Sequence, residues 1–371
     1  MYTCHSLYAL VQEAMIGKFA RKNDWGNIGV SMGIKFEGRL GDIGSPYNLL
    51  LAWEEFLPGK RAKLDVQDFN LRLMDNIIQL SQEIVNGAYR HGGYETFNIA
   101  DPKPRNIHKA SVRDRLVHHA AYRILYPFFD RVFIPDSFSC RRGKGTHAAM
   151  QRFRTFAYGV SRNNTRTCWV LKCDIRKFFA SIDHRVLMDI LAKRISDDGM
   201  QALLGEIIGS FSTPDRPGVG LPLGNLTSQL LVNIYMNEFD QFVKHVLHFP
   251  YYIRYADDFV FLSDDRRQLE TLLPEVRTFL TDHLRLELHP DKVSIATVAS
   301  GIDFLGWVHF PDHRVLRATT RRRMLLRLFH RIDGQDASNA TMQSYRGLLR
   351  HGNTEKISSK INKLNVHREM I

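Results

Sequence analysis

Two strongly apolar runs, YYIRY at 251–255 and FVFL at 259–262, flank Ala256, Asp257 and Asp258. Aromatic and β-branched runs broken by a short acidic segment predict two strands joined by a tight turn. Strands this apolar belong in a core, and two adjacent carboxylates there demand a counter-charge, which a divalent cation supplies most economically. An Asp-rich turn is also common in ordinary β-proteins, so the dipeptide alone does not decide. WVLKCD at 169–174 reads as another buried strand, ending on Asp174, and one sheet would bring the three carboxylates together. Three hard oxygen donors suit Mg²⁺. Two such ions about 3.5–4 Å apart serve in-line phosphoryl displacement.

Composition narrows the setting. The 371 residues are enough for two or three packed units, and 44% hydrophobic with 24% charged residues is a globular balance, neither disordered nor membrane-embedded. Lys and Arg number 51 against 39 Asp and Glu, a net charge of +12 that attracts polyanions such as nucleic acid or anionic lipid. No apolar run approaches the ~18–20 residues of a membrane span. The N-terminus places its apolar residues before its basic ones, a poor secretory signal. Cys4, Cys140, Cys168 and Cys173 form neither a C-x-x-C pair nor a zinc-spaced set, so a reducing cytoplasm is expected, with no membrane partner.

Along the chain, residues 1–45 are Gly-rich toward their end and read as a loosely structured extension. A helical stretch is expected after Pro46. Leu71, Met74, Ile77, Ile78 and Ile84 predict an amphipathic helix ending near Gly87, and a second helix is expected over Asp114–Leu125. SFSCRRGKGT at 137–146 has the composition of a loop that approaches something closely. GVGLPLGNLTS at 218–228 leads into a helix from about Gln229 to His248, with Leu231, Ile234, Tyr235, Phe239, Phe242 and Val246 on one face. A helix over Leu269–His283 and a strand pair around GIDFLGWVHF follow. Basic and apolar residues then interleave from Arg314 through Arg331 as an amphipathic basic helix, and Lys356, Lys360 and Lys363 continue the charge.

YADD at Tyr255–Asp258 resembles the Y-x-D-D hairpin of reverse transcriptases, and the rest of that family's motif series is present in order. RNIHKASVRDRLV (105–117), SFSCRRGKGT, LKCDIRKFFASID (171–183), GLPLGNLTSQ (220–229), LELHPDK (286–292) and GIDFLGW (301–307) resemble its other blocks. The resemblance runs from about residue 46 to the C-terminus. It implies an α+β right-hand polymerase with an antiparallel palm sheet. Fingers would occupy 46–160 and 191–227, palm 161–190 and 228–310, and a short basic helical thumb 311–371. It implies RNA-directed DNA synthesis from dNTPs with two Mg²⁺ ions, Mn²⁺ being a possible substitute. Asp174 and Asp257 would hold both ions, with Asp258 and the Ile175 backbone carbonyl contributing.

The same resemblance assigns the remaining roles. Lys292 would protonate departing pyrophosphate. Arg105, with Lys109 and Arg113, would pair with the triphosphate, and the backbone N–H groups of Lys177 and Phe178 would cradle it. Phe179 would pack under the sugar and exclude a 2′-hydroxyl. Leu223, Gly224 and Gln229 would line the nucleotide site. Arg141, Arg142 and Lys144 would hold the template backbone, and Leu305, Gly306 and Trp307 would form the primer grip. Arg317, Arg321, Arg322, Arg323 and Arg327 would grip the template–primer duplex through its phosphates.

Many reverse transcriptases carry glutamine where this chain has Leu223. An apolar residue there, with G-x-x-x-S-Q over 224–229, resembles the enzymes of diversity-generating retroelements, whose copying is error-prone opposite template adenines. That likeness implies a template RNA, a cDNA product and a small basic helical accessory protein as partners. An antiphage-defence reverse transcriptase shares the motifs. A non-catalytic RNA-binding scaffold is the alternative of another class, and the intact Asp174, Asp257 and Asp258 argue against it.

Overall fold

The computed structural model describes residues 34–99, 104–329, 339–359 and 361. The chain divides into Met1–Ile34 and Lys35–Ile371, and the elements below belong to the second unit. The expected loose extension therefore lies outside the described residues up to position 33. Beyond it the expectation is corrected, because Leu40–Gly44 is a short helix, α1.

Ser45 accepts a hydrogen bond from the Asn48 N–H and Pro46 occupies a position that needs no donor, so α2 (Pro46–Phe56) starts where expected. The single helix expected through Gly87 is two, α3 (Leu64–Leu71) and α4 (Leu73–Val85). The backbone leaves helical geometry at Arg72 (φ −123°, ψ 40°). Ile77, Leu80, Ser81 and Ile84 are the buried residues of α4, whereas Leu71, Met74 and Ile78 are exposed. Counting every apolar residue as core-facing merged two opposite faces.

β1 (Tyr94–Ile99) and β2 (Arg105–Ala110) form a separate antiparallel pair. Largely exposed and polar, these strands carry no strong period in the sequence. α5 (Val112–Val132), capped by Ser111, is longer than expected and packs on α2. The loop over 137–145 then leads into α6 (Thr146–Val160).

The central sheet contains β3 (Trp169–Asp174), β4 (Tyr252–Tyr255), β5 (Asp258–Ser263) and β6 (Ser294–Thr297), in the order β4-β5-β3-β6 with every neighbouring pair antiparallel. Leu171, Cys173, Tyr252, Phe259 and Phe261 project into one hydrophobic cluster, Val170, Ile253, Val260 and Leu262 into another. Burial on both faces accounts for the unbroken apolar runs. Between these strands lie α7 (His184–Ala192), α8 (Asp198–Gly209) and α9 (Leu226–Gln241). α10 (Arg266–Leu284) separates β5 from β6. The helix expected to reach His248 ends at Gln241 and continues as a π-helical turn, Phe242–Val246, leaving Val246 exposed.

A second sheet holds β7 (Ile302–Phe304), β8 (Trp307–His309) and β9 (Arg314–Leu316), followed by α11 (Ala318–Phe329) and α12 (Asn339–Leu349). The basic helix expected from Arg314 is corrected at its start, because residues 314–316 pair with β8. Its end at Arg331, with Lys360 and Lys363, lies outside the described residues.

A buried polar chain joins α5 to the start of α9. His118 Nδ1 lies 2.6 Å from Thr227 Oγ1, and its Nε2 lies 3.1 Å from His91 Nε2. Burial, reinforced by the His91 charge, pushes the His118 pKa down to about 3, against the ordinary 6.5. The unfolded chain therefore takes up this proton first. His118 stabilises the fold fully above pH 6.5, and that contribution is lost as pH falls toward the folded pKa. Urea unfolding at pH 7 and pH 5 is expected to reveal a loss of about 2 kcal/mol attributable to His118. His118→Gln should flatten the pH dependence by that amount; an unchanged dependence would contradict the assignment.

Candidate active site

The in-register pairing of β3 with β5 sets Asp174 directly opposite Asp258, and the turn ahead of β5 presents Asp257 beside them. Ala256 adopts a left-handed conformation (φ 56°) to close that turn. The Ile175 N–H donates to the Asp257 carbonyl at 3.2 Å, while the Asp174 carbonyl accepts from the His289 N–H at 2.7 Å. The end of β3 is thus held between the acidic turn and the LELHPDK segment. Lys292 Nζ donates to Asp174 Oδ1 at 2.7 Å, and Lys172 Nζ lies 3.8 Å from Asp258 Oδ2.

These cations do not satisfy the carboxylates. Burial, with the charges of Asp257 and Asp174 adding to it against Lys172, pushes the Asp258 pKa up to about 7. Burial and then the Asp174 charge raise that of Asp257. Asp258 Oδ1 is buried without a hydrogen-bond partner. Among the described residues no three His, Cys, Asp or Glu side chains form a ready-made metal cage. An orphaned carboxylate oxygen, oxygen-only donors and a deficit of positive charge nevertheless fit a divalent cation.

The elements beside the aspartates are joined through backbone contacts. Lys177 takes a left-handed conformation at the start of a 3₁₀ turn, Phe178–Ser181, in which Phe178 is buried and Phe179 half-buried. The Phe179 carbonyl accepts from the Leu221 N–H at 2.8 Å, and the Leu223 carbonyl accepts from the His108 N–H at 3.0 Å. Gly224 has φ 115°, and a Cβ there would sit 3.1 Å from Ile107 Cγ2, so glycine permits the close approach of β2. Arg105, on the same strand, adds positive potential at Asp257. Gln229 is half-buried in the first turn of α9.

Several expected contacts are not brought to this cluster. Lys109 pairs with Asp65 at 2.9 Å and Glu95 at 3.2 Å, and Arg113 pairs with Glu83 and Asp114. The expectation for Arg141 is corrected. Its side chain is 6% exposed, and the guanidinium donates to Asp130 and to the Ile134 and Ser137 carbonyls, which leaves it holding the loop instead of a ligand. Lys144 donates to the Pro135 carbonyl, while Arg142 is exposed. Trp307 is also corrected. It is 2% exposed and packs with Met150, Leu316 and Met324, leaving Leu305 and Gly306 at the β7–β8 turn. Arg317 pairs with Asp303. Arg321, Arg322 and Arg327 are exposed on α11, and Arg323 is half-buried.

The sequence reading missed Arg254. It is fully buried two residues before the acidic turn and forms a salt bridge with the fully buried Asp240 at 2.6 Å. It also donates to Asn233 Oδ1 at 3.2 Å, Ser137 Oγ at 3.0 Å and the Ala256 carbonyl at 3.2 Å. Tyr252 OH donates to the same Asp240 at 2.8 Å. The available signal was an arginine inside an apolar strand, which demands a buried partner.

A two-sided apolar sheet with carboxylates crowded at one end, beside a lysine and a glycine-punctuated loop, is the palm arrangement of a right-hand polymerase. Residues 100–309 match the family described as reverse transcriptase (RNA-dependent DNA polymerase). The chain belongs to that family and is an RNA-directed DNA polymerase with group II intron-type relatives. It is 28% identical over 295 residues to Protein YkfC of Escherichia coli (strain K12), covering 67% of this chain and 74% of that protein. It is 22% identical over 318 residues to the group II intron-encoded protein LtrA of Lactococcus lactis subsp. cremoris, covering 67% of this chain and 51% of LtrA. Among solved structures, an apo telomerase from Candida Tropicalis is similar, with a TM-score of 0.46 and 12% identity over 61% of this chain and 55% of that one.

Removing one partner of the buried pair strands the other charge. Arg254→Met is expected to destabilise the protein by about 3–5 kcal/mol in urea unfolding. The double variant Arg254→Met/Asp240→Leu should recover much of that loss; no recovery would mean that the ion pair is not the dominant element of this network.

Proposed function

We propose that this chain copies a template RNA into cDNA by two-metal-ion nucleotidyl transfer, with Asp174, Asp257 and Asp258 holding Mg²⁺. The observation that supports this most is the in-register meeting of Asp174 and Asp258 beside a buried, unpartnered carboxylate oxygen. Bound cations would supply the charge that neutralises the triphosphate and makes the primer 3′-hydroxyl acidic enough to attack. Attack, with the hydroxyl proton passing to solvent water, forms the bond from the 3′-oxygen to the α-phosphorus and breaks the bond from that phosphorus to the oxygen that bridges to the pyrophosphate. Lys292 supplies the proton taken up by the departing pyrophosphate. Arg105 and the N–H groups of Lys177 and Phe178 orient the triphosphate, and Phe179 excludes a 2′-hydroxyl by bulk. Arg142 and Lys144 stand over the template, Leu305 and Gly306 over the primer, and α11 over the duplex backbone.

The finer reading is mutagenic reverse transcription in a diversity-generating retroelement, with a small basic accessory protein as partner. Its support is Leu223, an apolar side chain in the loop whose backbone meets β2. Without a polar group there, correct and incorrect nucleotides differ less in transition-state stabilisation.

Primer extension on primed RNA with Mg²⁺ and dNTPs, accessory protein included, tests the activity. Asp174→Asn and Asp257→Asn are each expected to lower extension by roughly 10³-fold or more. Absence of wild-type incorporation with either Mg²⁺ or Mn²⁺ would defeat the reading. In sequenced cDNA, Leu223→Gln is expected to lower misincorporation opposite adenine by about tenfold, the effect of one contact worth ~1.4 kcal/mol. Equal error spectra would remove the role given to Leu223.

A further inference from the structure

At the opposite end of β8 from the Leu305–Gly306 turn, a concavity of about 340 Å³ opens between α6, the β8–β9 connection and the turn after α12. Arg154, Arg314 and Arg350 reach it from three separate parts of the chain. None of the three belongs to an ion pair among the described residues. Asp312, the carboxylate at its rim, is turned to His313 at 2.8 Å. Arg314 is fixed in place, because its Nε donates to the His351 carbonyl and its guanidinium lies 5.7 Å from the centre of the Trp307 ring. Burial, and then the charge of Arg154, hold the Arg314 pKa below the usual arginine value.

This is the converse of the aspartate cluster. Arg314 feels the charge of Arg154, neither has an ion-pair partner among the described residues, and a ligand phosphate would relieve that repulsion while meeting planar donor forks. Aromatic surfaces stand beside those forks. The Phe310 and His313 rings stack with centroids 4.8 Å apart and planes at 12°, and Phe153 lines the concavity. A flat aromatic pair next to guanidinium groups is suited to an unpaired base and its phosphate. The volume accepts a nucleotide-sized group, not a duplex.

We propose that this concavity binds one nucleotide of single-stranded RNA, with the phosphate on Arg154, Arg314 and Arg350 and the base against the Phe310–His313 pair. The assignment rests on the RNA-copying reading. It adds a second RNA contact, distinct from the template–primer duplex at the aspartates.

The test uses the full chain and the variant Arg154→Glu/Arg350→Glu, both positions being exposed. Arg154→Ala/Arg350→Ala serves if charge reversal prevents folding. Binding of a labelled 15-nucleotide oligouridine is measured across a salt series with excess short RNA–DNA duplex occupying the catalytic groove. The variants are expected to bind it at least tenfold more weakly. The slope of log affinity against log salt should fall by about 1, corresponding to one or two lost phosphate contacts. Extension of the short primed duplex should stay within twofold of wild type. Oligouridine carrying 4-thiouridine should crosslink to residues 310–313. Unchanged affinity and slope would overturn the proposal. So would a polyglutamate peptide that displaces oligouridine from wild type while the variants lose only the peptide, since the site would then serve an acidic protein. If wild type fails to extend the duplex yet the variants lose oligouridine, the polymerase reading falls and the site stands.

Discussion

Carboxylates crowded at the end of a sheet that is apolar on both faces are the constraint around which the rest of this molecule is arranged. The pairing of β3 with β5 places Asp174 against Asp258 without offset, and Coulomb repulsion between such groups grows as water is removed. A one-residue slip in register would send every side chain of β3 to the other face, exchanging the contents of two hydrophobic clusters. Packing therefore enforces the juxtaposition that electrostatics resists. Lys292, Lys172 and Arg105 each bring positive charge toward it, yet Asp258 Oδ1 stays unpartnered.

Arg254 explains how the turn keeps its shape. A non-glycine residue in left-handed geometry costs roughly 1–2 kcal/mol, and Ala256 stands there with its carbonyl tied to the Arg254 guanidinium. The same guanidinium reaches Asp240 and Asn233 on α9 and Ser137 in the loop ahead of α6. The backbone repeats the link, since Arg254 N–H donates to the Asp136 carbonyl and Phe138 N–H to the Arg254 carbonyl. One buried side chain thus connects the acidic turn, the helix after Leu223–Gly224 and the basic loop. Its charge is fully desolvated, so the geometry must be met in full or the pair becomes a liability.

Much of this was legible in the sequence, for physical reasons that also mark where legibility ends. The strands Trp169–Asp174 and Asp258–Ser263 stand out because burial on both faces leaves no polar interruption, and the acidic turn stands out against them. β1 and β2 escaped because they are exposed and lack an apolar period. Basic side chains were legible as charge but not as partners. Arg141 looked like a hand for the template, yet Asp130, eleven residues upstream on α5, occupies it. Trp307 looked like part of a grip, yet it anchors the packing between β8 and α11. Such pairings are tertiary facts that one-dimensional composition does not carry.

The net charge of +12 takes on a different meaning once those pairings are known. The basic run through Lys109, Arg113, Arg115 and Arg123 is matched by Asp65, Glu83, Glu95, Asp114 and Glu55, most of them supplied by earlier helices. Ion pairs of this kind cancel at distances beyond a Debye length of about 8–10 Å, so that region contributes little long-range attraction for a polyanion. Arg321 and Arg322 on α11 are exposed, as are Arg154 and Arg350 around the concavity beside β9. Exposed cations in no ion pair among the described residues, Arg154, Arg321, Arg322 and Arg350 among them, therefore carry more of the field that a polyanion meets at a distance.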